Sequence, residues 1–435
     1  MIELPRAHDD TRPLEASSEA SGVDKDLRRR ATNVIPGGMF GHLDASRLPS
    51  GYPQFFARGD GCRVWDANGR EYLDLMCSWG PIVLGHRHPR VEEAVRQQLA
   101  RGECLDGPAS VMVELAELMV ATIEYADWAL FCKNGTDATT WAVRIARAAT
   151  GRKYVLLAEG AYHGIANWTG VTSDGFIPLE QSGTIFFEYN NRASLEAAFA
   201  EAENDVAAVV VCPIRHDVHR DLELPTEDFV KGLRQLCDAR GAALIHDEIR
   251  CGLRLNHGGS WEPLGVAPDL GAWGKAMGNG YGISAVVGSN AFRDAARVIP
   301  ATGSYWCAAS PMAAATATIR ELERSNAVQT MHDLGSRLQE GLRTQAQQWR
   351  LDVTVSGPPQ LPFLTFREDR DERQAFLWAK ACVDRGVYLH PFHNWFLSAA
   401  HTPETIDQIL EVTNQAFEVV AAGQTDDGGG SPARD

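Results

Sequence analysis

The stretch Pro268-Asp-Leu-Gly-Ala-Trp-Gly-Lys-Ala-Met-Gly-Asn-Gly-Tyr-Gly282 sets one lysine, Lys275, among small and apolar residues. Four glycines within the nine positions 274–282 let the backbone pass close to a flat bound group. The apolar run before the lysine is typical of a buried strand, so Lys275 is placed just beyond a strand end. A lysine removed from water loses its proton more readily and becomes a nucleophile. Taken alone, the stretch fits an exposed lysine in a flexible loop better than a buried nucleophile.

The composition describes an ordinary globular protein. The chain has 435 residues, of which 44% are apolar, and a net charge of -16, which disfavours nucleic acid and anionic membranes as partners. It has no apolar run of about eighteen residues and no signal-peptide pattern, so we expect a cytoplasmic protein. The nine cysteines form no CxxC pair, which favours reduced core thiols and disfavours a metal site.

Short apolar runs alternate with helical patterns from Asp127 onward. Continuous apolar strands that alternate with helices predict a mainly parallel sheet covered on both faces. Ligands of such sheets bind outside the carboxyl ends of the strands. The predicted strands are 128–132, 154–157, 206–211, 242–245, 270–273 and 283–287, and the clearest intervening helices are 136–150 and 227–240.

The pattern also predicts the domain boundaries. Residues 1–24 and 423–435 are polar or rich in Gly, Asp and Pro, which predicts disorder. We expect residues 76–325 to form the large domain and residues 326–422 a smaller α+β domain, which segment 25–75 joins. In the small domain, strands are predicted at 353–355, 363–366 and 395–398, with helices at 373–383 and from Thr402.

Two predicted strands are followed by loops suited to a phosphate and a flat ring. Asn134-Gly-Thr-Asp137 comes directly after strand 128–132 and begins a helix, and free N–H groups, a glycine and a hydroxyl together suit a phosphate. A plain helix cap is the alternative. Gly160-Ala-Tyr-His-Gly164 follows strand 154–157, and Tyr162 on it could stack on a flat cofactor, although a packed Tyr-His pair has the same pattern.

A third strand runs straight into two carboxylates, in Leu244-Ile-His-Asp-Glu248. A buried carboxylate is costly without a cation or hydrogen-bond donors, so Asp247 needs a positively charged or protonated partner, unless it is only a helix-capping acid. A pyridinium nitrogen would serve, and holding it protonated makes a pyridoxal ring an electron sink. With Lys275, the three loops describe a pyridoxal phosphate site more specifically than any one of them does.

In six segments the chain resembles class-III aminotransferases, and within them it is similar to glutamate-1-semialdehyde aminomutase. The resemblance runs in order from about residue 36 to residue 420. It implies the α/β fold type I of pyridoxal-phosphate-dependent transferases, with a large domain on a mainly parallel sheet sandwiched by helices and a small α+β domain. The matching segments are Ser78-Trp-Gly-Pro-Ile-Val-Leu-Gly-His86, Asn134-Gly-Thr-Asp-Ala138, Glu159-Gly-Ala-Tyr-His-Gly164, Asp247-Glu-Ile249, Pro268-Asp-Leu with Gly274-Lys275, and Gly386-Val-Tyr-Leu389 with Ala400-His-Thr402.

The resemblance implies a role for each matching residue. Lys275 corresponds to the Schiff-base lysine and proton shuttle, and Asp247 to the partner of the pyridine nitrogen. The phosphate and the cofactor ring would be held by Gly135, Thr136, Tyr162, His163, Ile249 and, from a neighbouring subunit, Ser304, with Thr302 as the alternative. The resemblance therefore also implies a homodimer with shared active sites.

The substrate region departs from the aminomutase pattern. Where that enzyme carries a carboxylate-binding arginine, this chain has Asp44, and the usual Glu-Pro after the central strand has become Cys212-Pro213. Trp79 and His393 are further candidate substrate contacts. The loss of a cation and the gain of acidic, aromatic and histidine groups suit a polar, polycationic substrate such as an amino sugar. The sequence of segment 133–138 also resembles the corresponding segment of amino-sugar aminotransferases from aminoglycoside antibiotic pathways.

These features predict a dimeric aminotransferase that moves an amino group between an amine donor and an oxo acceptor. An aminomutase or epimerase on the same cofactor is the second interpretation, since it would need no separate donor. A catalytically dead scaffold is the third, and the presence of both Lys275 and Asp247 disfavours it.

Overall fold

The computed structural model describes residues 22–169, 183–203, 205–367, 369 and 371–427. The strands are β1 Phe56–Asp60, β2 Arg63–Asp66, β3 Glu71–Asp74, β4 Trp128–Cys132, β5 Tyr154–Ala158, β6 Thr184–Phe187, β7 Val206–Val211, β8 Ala243–Asp247, β9 Leu270–Trp273, β10 Ser284–Gly288, β11 Val353–Ser356, β12 Phe363–Phe366 and β13 Val387–Tyr388. The helices are α1 Val23–Thr32, α2 Pro89–Leu99, α3 Val111–Thr122, α4 Gly135–Thr150, α5 Arg192–Glu201, α6 Glu227–Arg240, α7 Arg293–Val298, α8 Ala309–Arg324, α9 Ala327–Gln348, α10 Arg373–Val383 and α11 Pro403–Asp427. Over the described ranges, none of these helices combines the length and apolar character that crossing a membrane requires.

A seven-stranded sheet in the order β4-β10-β9-β8-β7-β5-β6 forms the centre of the molecule. Only β10 runs against its neighbours, so the other six strands point the same way. The predicted mainly parallel sheet is thereby confirmed. Because the carboxyl ends of parallel strands meet at one edge, the loops that follow β4, β5, β7, β8 and β9 all open there.

Helices cover both faces of this sheet. Strand β7 is entirely buried, and its successive side chains point to opposite faces. Val209 and Val211 pack into the cluster that holds Phe229 of α6, whereas Ala208 and Val210 pack into the cluster that holds Ile145 of α4. Strands buried on both faces need continuous apolar sequence, which explains why their positions could be predicted.

The chain's first segment and its last part share a sheet. This sheet has the order β1-β2-β3-β13, and β3 pairs in parallel with β13 through Leu73 and Val387. Strands β11 and β12 form a separate antiparallel hairpin, and α10 and α11 pack with both parts into one apolar cluster. Segment 56–74 therefore pairs with the C-terminal part of the chain.

The predicted strand 395–398 is wrong. Its backbone is extended, but its N–H groups alternate between two partners: Phe396 donates to Leu75 O at 2.8 Å and Leu397 to Gln360 O at 3.1 Å. Because this segment lies between two neighbouring segments and bonds to each in turn, it forms a continuous series of β-sheet hydrogen bonds with neither. The strand in this region is β13, eight residues earlier along the chain.

Two predicted disorder boundaries also differ from the structure. Helix α1 begins at Val23, and the buried Asp24 carboxylate accepts hydrogen bonds from Gln54 N at 3.0 Å and Phe55 N at 2.8 Å, which ties the helix to the chain beyond it. At the other end α11 continues to Asp427, past the predicted boundary at residue 423. The remaining predicted disorder, at 1–21 and 428–435, lies outside the described residues.

Candidate active site

Lys275 follows β9 directly and begins a tight turn, Lys275–Gly278, with its own backbone at φ +43°. This left-handed conformation is uncommon for a residue other than glycine and is concentrated at functional sites. The preceding Gly274 leaves no room for a side chain, since a Cβ atom there would lie 2.5 Å from Ser284 Oγ. Burial, followed by the positive charge of Arg250, lowers the pKa of Lys275 to about 7. At neutral pH the amine is therefore substantially unprotonated, as a nucleophile requires.

Asp247 lies at the carboxyl end of β8 and is only 5% exposed. Its Oδ2 is 2.8 Å from His163 Nδ1, and its Oδ1 accepts a hydrogen bond from Ile249 N at 3.1 Å. His163 Nε2 is buried without a partner among the described residues, while the His163 carbonyl accepts from Thr139 Oγ1 at 2.8 Å. The contact between His163 and Asp247 fixes the carboxylate's orientation at the sheet edge.

Cys212, which follows β7, reaches the same place. Its Sγ is 3.9 Å from His163 Nδ1, and potential ligand atoms of Cys212, His163 and Asp247 lie within 4.8 Å of one another. Spacing along the sequence did not reveal this cluster. Burial raises the pKa of the Cys212 thiol well above its usual range, which disfavours the thiolate that binds metals. The absence of a metal stays a prediction.

The loop between β4 and α4 is built around a reciprocal cap. Asn134 Oδ1 accepts from Asp137 N, and Asp137 Oδ2 accepts from Asn134 N, both at 3.3 Å. This leaves the N–H groups of Gly135 and Thr136 at the helix start without intrahelical partners. Gly164 (φ +99°) packs so tightly here that a Cβ on it would lie 2.5 Å from Thr136 Oγ1. The two loops thus form one surface.

Ile249 joins this surface to the lysine turn. A Cβ atom on Gly135 would lie 3.1 Å from Ile249 Cγ2, and one on Gly274 would lie 3.0 Å from Ile249 Cδ1. Both glycines are needed because the isoleucine fills the space between the two loops. Tyr162 is 53% exposed and lies on the loop after β5, which opens at the same edge of the sheet as the loops after β4 and β9.

These residues fit pyridoxal phosphate. Gly135 and Thr136 would hold the phosphate at the start of α4, where free N–H groups and the helix dipole favour an anion. Asp247 would hold the ring nitrogen, while Tyr162 and Ile249 would contact the ring. When bound, the cofactor supplies an aldehyde that condenses with amines and a ring that withdraws electrons. Lys275 would be the amine that condenses with that aldehyde.

An aromatic cluster forms around Trp79, whose indole ring is contacted by three imidazole rings. Its ring centroid is 4.8 Å from that of His42, 5.1 Å from His390 and 4.8 Å from His393. The sequence predicted Trp79 and His393 as substrate contacts, and the structure brings them together. Burial, followed by the charges of Lys275 and Arg250, lowers the pKa of His42, and burial, followed by the charge of Arg250, lowers that of His393. His393 Nε2 contacts Arg250 Nη1 at 2.9 Å, which connects the cluster to the loop after β8.

The Trp79 loop is held in a strained shape by a buried cation. Cys77, Ser78 and Trp79 have φ values of +47°, +54° and +66°. Arg254, which is fully buried, donates to Gly80 O at 2.8 Å, to Ile82 O at 3.2 Å and to Leu397 O. These bonds offset the cost of three consecutive left-handed residues.

Asp44 has a local role that the sequence did not show. Its carboxylate accepts from Ser46 N at 2.9 Å and from Ser46 Oγ at 2.8 Å, so both oxygens cap a short turn. Contact of Asp44 with substrate stays a prediction. Ser304 and Thr302 lie on an exposed loop with Tyr305, which is 69% exposed.

Several cleft residues were missed at the sequence level. His42, His216 and His390 are held neutral by burial, and Arg250 carries a charge among them. They come from segments far apart in sequence. The run Ile214-Arg-His-Asp-Val-His219 after β7 is a local sequence signal for one of them, because it places His216 directly after a strand end.

Comparison with known proteins identifies the family. Residues 48–417 match the model of the family described as Aminotransferase class-III. The chain is 46% identical to an aminopentol aminotransferase of Sphingopyxis macrogoltabida, covering 91% of this chain and 94% of that one. It is 34% identical to a glutamate-1-semialdehyde 2,1-aminomutase of Thermus thermophilus, covering 89% and 98% of the two chains.

A solved structure supports the same assignment. It is described as the PLP internal aldimine form of the Sphingopyxis sp. MTA144 FumI protein, and it superposes with a TM-score of 0.91 at 44% identity. The match covers 94% of this chain and 98% of that one. The chain therefore belongs to the class-III aminotransferase family, and it is an aminotransferase whose cofactor is pyridoxal 5'-phosphate.

Proposed function

We propose that the chain transfers the amino group of a polyhydroxylated amine to an oxo acceptor. The observation that carries the proposal is the ring cluster of Trp79, His42, His390 and His393 beside Lys275. Burial lowers the pKa of His390 to about 3 and lowers that of His393 well below its usual range. A neutral imidazole offers one donor and one acceptor, which suits hydroxyl groups. Both nitrogens of His393 are engaged, with Asn394 O at 2.7 Å and Arg250 Nη1 at 2.9 Å, so His42 and His390 are the rings that would meet substrate hydroxyls.

The similarity to an aminopentol aminotransferase supports this substrate class, since an aminopentol is an amine that carries several hydroxyl groups. Amino sugars, which the sequence suggested, belong to the same chemical class. We propose the open-chain aminopolyol as the first candidate and an amino sugar, such as an aminoglycoside intermediate, as the second. Both present a reactive amine next to hydroxyls.

Different residues of the chain would perform different steps of the amino transfer. Lys275 Nζ would remove the proton from the carbon that bears the amine and return it on the cofactor side of the reaction, and positioned proton transfer of this kind contributes roughly 10² to 10⁴ in rate. Asp247, oriented by His163, would keep the ring nitrogen protonated. The aromatic cluster would orient the hydroxylated carbon chain.

We also propose that the enzyme is a homodimer with shared active sites. The exposed loop that carries Thr302, Ser304 and Tyr305 supports this, because Tyr305 leaves most of its ring uncovered. In a dimer, Ser304 would complete the partner's phosphate site, with Thr302 as the alternative. Large exposed aromatic side chains are enriched where subunits meet.

An isomerase is the second candidate function, which the 34% identity to an aminomutase favours. It would convert a single substrate without a separate donor or acceptor. Dependence of product formation on a second substrate therefore separates transfer from isomerisation. A scaffold that only keeps the fold would neither bind the cofactor nor change its absorbance.

The test is to load the protein with the cofactor and follow the cofactor's absorbance while single amines are added. We expect conversion to the pyridoxamine form with amino alcohols and polyhydroxylated amines, including amino sugars. Alkyl amines of equal length without hydroxyl groups serve as controls and should react more weakly. A response confined to amino acids that carry a carboxylate would contradict the proposed substrate class.

A further inference from the structure

Asn279 joins the lysine turn to a neighbouring loop. It follows the turn Lys275–Gly278 directly and is 5% exposed. Its Oδ1 accepts hydrogen bonds from Val83 N at 3.0 Å and Leu84 N at 2.9 Å, and its Nδ2 donates to Gly85 O at 3.0 Å. One buried amide therefore bonds to three consecutive residues of another part of the chain.

The neighbouring loop is fixed from other sides as well. Val83 O accepts a hydrogen bond from Ala399 N at 2.7 Å, and His86 and Gly61 exchange backbone hydrogen bonds at 2.8 Å and 3.0 Å. These bonds attach the loop to the turn between β1 and β2 and to the C-terminal part of the chain. Because the same loop carries Trp79, the lysine turn and the Trp79 loop share one frame.

The backbone of the lysine turn needs such a frame. Lys275 and Asn279 have φ values of +43° and +44°, so a left-handed residue stands at each end of the turn. Residues of this kind are strained and persist only where the surrounding structure fixes them. Within the turn, Met277 N donates to Gly274 O at 3.0 Å and Asn279 N to Ala276 O at 3.3 Å. The three side-chain bonds of Asn279 add an external hold at the end of the turn opposite Lys275.

A second asparagine separates backbone shape from side-chain bonding. Asn326 precedes α9 with φ at +51° and is exposed, and within the described part of the chain its side chain makes no capping hydrogen bond. Asparagine adopts the left-handed conformation more readily than most residues, and Asn326 needs no more than that. Asn279 differs because its amide is buried and hydrogen-bonded, and a buried amide left without partners would be costly.

We propose that Asn279 is a positioning residue for Lys275. By bonding the end of the turn to residues 83–85, it holds Lys275 Nζ at the distance and angle at which the amine reaches the cofactor's aldehyde. The inference rests on the proposed role of Lys275 and adds the residue that keeps this lysine in place. A misplacement of about 1 Å can cost on the order of 10²-fold in reactivity.

Two forms of the cofactor separate the placement of Lys275 from the integrity of the site. Pyridoxal 5'-phosphate bonds to the lysine: a C=N bond to Nζ replaces the aldehyde C=O, and water leaves. Pyridoxamine 5'-phosphate has no aldehyde, so its affinity reports the phosphate and ring contacts alone. In fluorescence titrations of the cofactor-free protein, we expect Asn279→Gly to weaken binding of pyridoxal phosphate by roughly 10- to 100-fold and binding of pyridoxamine phosphate by less than about threefold.

The matched control is Asn326→Gly, which makes the same substitution at a left-handed asparagine on the surface. It should leave both affinities unchanged. Asn279→Asp is a second variant of the same shape. It keeps an oxygen for the N–H groups of Val83 and Leu84 but cannot donate to Gly85 O, so we expect a selective loss of roughly 3- to 10-fold for pyridoxal phosphate.

Hydrogen exchange of the Val83 and Leu84 amides reports the contact without any cofactor. Exchange should be faster in Asn279→Gly than in the unsubstituted protein, and an unchanged rate would overturn the proposal. Equal losses for the two cofactor forms in Asn279→Gly, or an unchanged affinity for pyridoxal phosphate, would also overturn it. If borohydride reduction of the unsubstituted protein attaches no pyridoxyl group to Lys275, the proposed role of the lysine fails instead.

Discussion

The carboxylate of Asp247 shows how a single buried acid can be set up for one partner. His163 holds one oxygen and the Ile249 N–H holds the other, so the carboxylate cannot rotate away from the sheet edge. The cofactor's ring nitrogen would add a third, charged partner. The chemistry of the site thus depends on a pair of residues that lie on neighbouring loops.

Asp247→Asn tests this arrangement. The amide has the same shape but cannot stabilise a protonated ring nitrogen, so we expect turnover to fall by roughly 10²- to 10³-fold, as when one preorganised electrostatic group is removed. Thermal unfolding of the cofactor-free protein should change little. Normal turnover in this variant would exclude the role assigned to Asp247.

The buried carboxyl group of Glu248 makes the free energy of unfolding depend on pH. It is fully buried, and burial raises its pKa from 4.5 to about 7, although Ser260 N and Ser260 Oγ donate to it. The folded chain therefore keeps a proton that the unfolded chain releases above about pH 4.5. Its contribution to stability is complete below pH 4.5, declines as the pH rises toward 7 and is lost above that.

Glu248→Gln should remove this dependence. Relative to the unsubstituted protein, the variant should gain up to about 3 kcal/mol in the free energy of unfolding between pH 4.5 and pH 8. Urea unfolding of the cofactor-free protein at several pH values measures it. Exposed Glu117→Gln is the matched control. Parallel pH curves for all three proteins would contradict the expectation.

Among the elements, the loops after β4 and β5 act as one unit because Gly164 lies against Thr136. We expect Gly164→Ala to lower cofactor affinity at least tenfold, since the added methyl pushes the two loops apart. Gly151→Ala is the control: Gly151 also has positive φ, at +66°, but has open space around it. Both should cost roughly 1 kcal/mol in backbone strain, and only the first should weaken cofactor binding in a fluorescence titration.

The strands and the cofactor loops could be predicted because each leaves a local signal. Strands buried on both faces are continuous apolar runs, and polar groups that follow such runs fall at one sheet edge. Segment 395–398 has the same apolar character but lies between two partners, and no local pattern distinguishes that case. Arg250 was missed for a related reason, because its contacts with His393 and Asn394 join residues that are more than 140 positions apart in the sequence.

For the whole molecule, the proposed dimer links assembly to cofactor binding. Tyr305→Glu places a charge on the exposed loop that carries Ser304, so we expect it to favour the monomer of 47.6 kDa and to weaken cofactor binding together. Sedimentation across a range of concentrations gives the mass, and a cofactor titration gives the affinity. An unsubstituted protein that stays monomeric and binds the cofactor tightly would contradict shared sites.

The central claim is that Lys275 is the amine that carries the cofactor. The most direct measurement is to reduce the cofactor-loaded protein with borohydride, digest it and locate the pyridoxyl group by mass spectrometry. We expect the added mass on the peptide that contains Lys275 and its loss in Lys275→Ala. A pyridoxyl group on another lysine, or none in a protein that transfers amino groups, would contradict it.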